Sequence, residues 1–113
     1  MHILVQEAKL TRDTEMFGKI DPYVKITTGG TTFKPKVLDG AGKTPKWNQA
    51  FDIAFNSQDD KVVVTVFDED VTSDDKVGEC STTIRQLLGS RSLTITHKNK
   101  SAGEVFFEAS VGA

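Results

Sequence analysis

Strict alternation constrains this chain more than any other feature. From Lys61 to Phe67, Val62, Val64 and Val66 fall on one side of an extended backbone, and Val63, Thr65 and Phe67 fall on the other. A period of two predicts a β-strand, and a strand apolar on both faces belongs in the middle of its sheet. The same period recurs along the chain, and no long helical pattern competes with it. Ile3 to about Lys9 and Tyr23 to Thr27 alternate in the same way. Gly29-Gly30 signals a hairpin into a third strand, about Thr31 to Leu38. Pro35 within that strand lacks an N–H, which places it at an edge or a bulge.

The remaining strands are predicted at Trp47–Phe55, Lys61–Phe67, Val77–Ile84, Leu93–Thr96 and Glu104–Val111. Residues 85–89 suggest one helical turn ended by Gly89, and Asn99 to Gly103 a turn into the last strand. Eight short strands with turn signals every 8–12 residues imply an all-β antiparallel sandwich or barrel. A chain of 113 residues suits one such domain, 1–113, with a single core. In an antiparallel sandwich alternate loops emerge at the same end. Loops 10–21, 39–46 and 68–77 are therefore expected together, bringing Glu15 and Asp21 toward Asp68, Asp70 and Asp75.

That convergence gives weight to the third loop. Asp68, Glu69, Asp70, Asp74 and Asp75 put five carboxylates into eight residues. Neighbouring carboxylates at an effective dielectric near 20 repel by roughly 4 kcal/mol. Either the loop is solvated and its charges splay apart, or they share a divalent cation with oxygen ligands, calcium first among the candidates. An EF-hand register would put Asp68, Asp70 and Glu79 at positions one, three and twelve. Ser73 then stands where a sharp turn needs glycine, and the flanks are strands. Gly42-Lys43-Thr44 imitates a phosphate loop, but Val37 occupies the first glycine position and Pro45 blocks a following helix.

Other chemistry is poorly represented. His2, His97 and the single Cys80 form no zinc set and no nucleophilic triad, and Cys80 reads as a small packed residue. A net charge of −2 argues against nucleic acid as a partner. No apolar run approaches the ~20 residues that span a bilayer, and Met1–Glu7 does not read as a signal peptide. Together with the lone cysteine, these features point to the cytoplasm. Met16 and Phe17 interrupt the first loop, and Val71 the third. They either fold back onto the core or enter a membrane or partner surface. Lys25, Lys34 and Lys36 share one side of a strand pair. They form either a solvated face or a seat for an anionic lipid head group.

The segments Ile3–Leu10, Gly18–Lys25, Thr44–Phe51 and Val66–Asp70 with Asp74–Glu79 stand in the order and spacing of a C2 domain, which the chain resembles over essentially its full length. Beginning at the Ile3–Leu10 strand, it is similar to the circularly permuted, type II variant. The resemblance implies an eight-stranded Greek-key β-sandwich, one or two Ca²⁺ ions between the first and third loops, and docking to phospholipid. It implies metal ligands at Asp21, Asp68, Asp70 and Asp75, with Asp74 able to share or take the last role because the loop is one residue short. Glu15 stands where the family usually has aspartate, with Asp13 as the available substitute. The expectation is a non-enzymatic, calcium-dependent module that binds an anionic phospholipid surface as a peripheral membrane protein. On this reading Met16, Phe17 and Val71 insert, and Lys25, Lys34 and Lys36 hold a head group. The alternative is a calcium-independent protein-interaction module of the same fold.

Overall fold

A computed structural model describes residues 1–11, 20–29, 31–33, 42–70 and 73–111. Among them are strands β1 (His2–Leu10), β2 (Pro22–Thr28), β3 (Thr31–Phe33), β4 (Lys46–Asp52), β5 (Lys61–Asp68), β6 (Asp75–Thr83), β7 (Ser92–His97) and β8 (Lys100–Ser110). One short helix, α1 (Ile84–Leu88), follows β6. Neighbouring strands are antiparallel and run in the order β3-β2-β5-β6-β7-β8-β1-β4. Only Glu79↔Thr96 pairs β6 with β7, so this ladder consists of two four-stranded halves joined at a seam. The halves fold over one another as an antiparallel β-sandwich. Val24, Ile26, Val62, Val64 and Val66 of one half and Ile3, Val5, Ile95, Val105 and Phe107 of the other share one core.

The alternation explains this layering. In β5, Val62, Val64 and Val66 are buried, and β5 lies between β2 and β6 as its doubly apolar pattern requires. β3 is an edge strand, and the predicted continuation through Pro35 lies outside the described residues. The other edge is β4. Phe33 of β3 and Phe51 of β4 close the open side between the two edges, with ring centroids 5.9 Å apart. Trp47 is buried on β4, and its indole N–H donates to the Pro22 carbonyl across the sandwich at 3.3 Å.

Three boundaries differ from the sequence pattern. β4 stops at Asp52 because its partner β1 runs out. The last exchange is Ile53 N–H to Met1 O at 2.7 Å, with the terminal ammonium donating back to Ile53 O. β8 begins at Lys100 because Lys98 and Asn99, at φ 52° and 65°, form a two-residue hairpin turn. β6 begins two residues early, at Asp75. The helical turn is as expected, with Thr83 as its N-cap and Ile84 and Leu87 buried.

Gly78 lies where the two halves approach. A Cβ there would sit 2.8 Å from the Ala102 Cβ and 3.0 Å from Ile95 Cδ1. Gly78→Ala is expected to lower stability by about 1–3 kcal/mol through overpacking, measured as a reduced denaturant midpoint with an unchanged slope.

Candidate cation site

The loop end is tied together by its own backbone. Ala8 and Leu10 N–H groups donate to Pro45 O at 3.0 Å and Lys43 O at 2.7 Å. Gly42 N–H donates to Ile20 O at 3.1 Å, and Glu69 N–H to Asp21 O at 3.0 Å. The flanks of the first, second and third loops therefore meet at one end of the molecule.

Asp68 is the floor of this region. It continues the inward row of Val62, Val64 and Val66 by one more step, and it is 0% exposed. A carboxylate at such a position needs strong compensation. The Asp21 N–H supplies part of it, donating to Asp68 Oδ1 at 2.9 Å. Asp68 is flanked on the ladder by Pro22 on one side and Asp75 on the other.

The second neighbour depends on a β-bulge. Val66 pairs with Gly78, but Phe67 pairs with Lys76, so Val77 is the extra residue. Without the bulge Lys76 would face Asp68. With it, Asp75 does. The bulge thus re-aims the start of β6 and places two carboxylates opposite one another.

Asp70 and Asp74 occupy the loop itself. The Asp70 N–H donates to Asp74 Oδ1 at 3.1 Å, and the Tyr23 hydroxyl donates to Asp74 Oδ2. Tyr23 is 5% exposed and stacks on Phe67, centroids 5.4 Å apart. Burial pushes its phenol well above the ordinary value. The bond to Asp74 and the charges of Asp74 and Glu69 push it the same way, so it remains a donor at neutral pH.

Of the expected ligands, Asp21, Asp68, Asp70, Asp74 and Asp75 are gathered at this end. Asp13, Glu15, Met16, Phe17 and Val71 lie outside the described residues, as do Lys34 and Lys36. Among the described residues no group of three or more His, Cys, Asp or Glu is arranged to hold a metal ion. The donor chemistry is nonetheless that of a hard cation: carboxylate oxygens with no thiolate or imidazole among them.

Lys25 is on the outer face of the β2-β5-β6 sheet, its Nζ 5.8 Å from the Phe67 ring centroid. The same face carries Glu79, which accepts from Thr65 Oγ1 at 3.2 Å and Lys76 Nζ at 3.3 Å. Glu79 lies across β5 from Lys25, on the far side of Thr65, and the alternation alone does not reveal it. The alternation also gives no sign of the role of Tyr23. Its local signal is that it follows Asp21-Pro22 and falls opposite Phe67. Cys80 is partly buried, and burial pushes its thiol up, in keeping with a packing role.

Comparison with known proteins agrees with this architecture. The 16 kDa phloem protein 2 of Arabidopsis thaliana is 30% identical over 100 residues, covering 88% of this chain and 68% of that protein. Extended synaptotagmin-1 of Homo sapiens is 30% identical over 95 residues, covering 80% of this chain but only 8% of the much longer relative. A solved C2 domain of plant Extended Synaptotagmin 1 superposes with a TM-score of 0.80 at 22% identity, covering 94% of this chain and 88% of that one. Residues 1–99 match the family described as C2 domain, and the chain belongs to that family.

Proposed function

We propose that this C2 domain is a calcium-dependent phospholipid-binding module that docks through its first and third loops. The observation that carries the reading is Asp68. A core position at the end of β5 is occupied by a fully buried carboxylate, bonded to the Asp21 N–H and facing Asp75 across the ladder. A purely structural strand end has no use for crowded negative charge, whereas a divalent cation turns that repulsion into binding energy. Asp21, Asp68, Asp70 and Asp75 would hold the ion together with Glu15. The ion would supply positive charge and vacant coordination positions for lipid phosphate or carboxylate oxygens. Met16, Phe17 and Val71 then insert at the interface, each worth roughly 1.5–3 kcal/mol when fully buried. Lys25, Lys34 and Lys36 add attraction for an anionic head group, on a face that also carries Glu79.

The test is cosedimentation with vesicles of phosphatidylserine and phosphatidylcholine, in calcium or in chelator. Pelleting in calcium alone is expected. Equal pelleting in both, or none in either, overturns the switch. A melt in about 1 mM Ca²⁺ should also rise, since a hundredfold excess over Kd stabilises by about 2.7 kcal/mol. No rise favours a calcium-independent protein-interaction module.

A further inference from the structure

Two neighbouring acids, Asp74 and Asp75, compete in the sequence for one ligand role, and the geometry separates them. Asp75 is on the ladder at the start of β6, opposite the buried Asp68. The Asp74 carboxylate is engaged on both oxygens. Oδ1 accepts from the Asp70 N–H at 3.1 Å, linking the two sides of the third loop. Oδ2 accepts from the hydroxyl of Tyr23, which is itself fixed by burial and by its stack on Phe67. Moving the Asp74 carboxylate off these two donors toward the Asp68–Asp75 pair would strand a phenol hydroxyl in a largely buried position.

We propose that the Tyr23 hydroxyl is a positioning group for the third loop: it clamps Asp74, fixes the Asp70 limb through it, and leaves Asp75 as the cation ligand. This rests on the cation-binding reading above, but the clamp itself exists without the ion. Tyr23 also stands on the same outer face as Lys25, stacked on the ring that Lys25 overlies. A hydroxyl at this point therefore joins the head-group face to the cation loop through a single side chain.

The experiment uses Tyr23→Phe, Asp74→Asn and Asp75→Asn. Tyr23→Phe keeps the stack and removes only the donor. In calcium-free protein it is expected to speed amide hydrogen exchange at Asp70 by at least about threefold, with β5 exchange unchanged. Asp74→Asn retains an acceptor for the Asp70 N–H and a group for the Tyr23 oxygen, so Asp70 exchange stays near the native rate. In calorimetric titration with calcium alone, Asp75→Asn is expected to lose at least about tenfold in affinity and Asp74→Asn less than about threefold. Tyr23→Phe should fall between them. Unchanged Asp70 exchange in Tyr23→Phe overturns the clamp. Equal losses in Asp74→Asn and Asp75→Asn overturn the division of roles. If the native domain gives no heat with calcium, the cation reading and the ligand assignment fall together, and the exchange measurement still decides the clamp.

Discussion

Asp68→Asn is expected to cut the calcium response sharply while leaving the calcium-free fold intact. Asparagine keeps an oxygen in the place where Oδ1 accepts from the Asp21 N–H, so the link between the first and third loops survives. What disappears is a buried negative charge with another carboxylate, Asp75, as its ladder partner. Directly opposed residues on antiparallel strands lie about 4.5–5.5 Å apart, close enough for like charges to destabilise each other. In chelator, then, the variant should melt no lower than the native protein. In calcium its affinity should fall by at least about tenfold, which removes about 1.4 kcal/mol or more of the native upward shift. Asp68→Val is the informative companion. It extends the valine row of β5 but leaves the Asp21 N–H without this acceptor, a loss of about 1–3 kcal/mol. A native-like calcium shift in Asp68→Asn would show that Asp68 does not ligate.

Gly103→Ala is expected to be more damaging than the same methyl addition at Gly29, Gly78 or Gly89. Gly103 sits in β8 at φ 140°, a conformation essentially reserved for glycine. It pairs with Leu10 of β1 and with Ile95 of β7 at a register shift. A Cβ would meet Lys9 O at 2.4 Å and Leu10 Cα at 2.8 Å, and both are backbone atoms with no rotamer to escape into. Strain and clash together are expected to remove about 3–5 kcal/mol of a total that is typically 5–15 kcal/mol. The melting temperature should fall by roughly 15 °C or more. Gly29→Ala is the control. Gly29 has φ 55° but nothing within 4 Å of an added Cβ, so only about 1–2 kcal/mol of backbone strain is expected. Similar losses for the two variants would show that the Lys9 contact is not the cause. Because Leu10 opens the first loop, a surviving Gly103→Ala protein should also bind calcium more weakly.

These two positions illustrate what could be read from residues alone. The alternation of Val62 to Phe67 was enough to centre β5 in its sheet, and continuing it one step would have put Asp68 inside. The acids of the third loop were legible from composition, and the meeting of the loops followed from strand count. The register was not legible. Asp75 and Lys76 carry no apolar signal, and only the bulge at Val77 sets Asp75 rather than Lys76 opposite Asp68. Lys98-Asn99 lacks the usual glycine of a tight hairpin, so the sequence pattern puts the turn at 99–103, whereas the structure turns at Lys98-Asn99 and places Gly103 within β8. The Tyr23–Asp74 bond joins residues 51 apart in the chain, a separation that periodicity cannot bridge. The lysines of the head-group face are visible in the alternation, whereas Glu79 reaches that face only through the pairing of β5 with β6.

The pairing of His2 with Ser110 has a practical consequence. The first and last described strands lie side by side, and both reach their outer limits at the end of the sandwich remote from Leu10, Pro22 and Asp68. A strand of nine residues spans about 30 Å. A handle attached through either end would therefore hold the domain by its far pole, presenting the acidic loops outward. Immobilised on a bead or sensor surface in that way, the molecule would keep its cation end accessible to vesicles. An anchor placed at Gly42 or Lys43 would bury that end against the support.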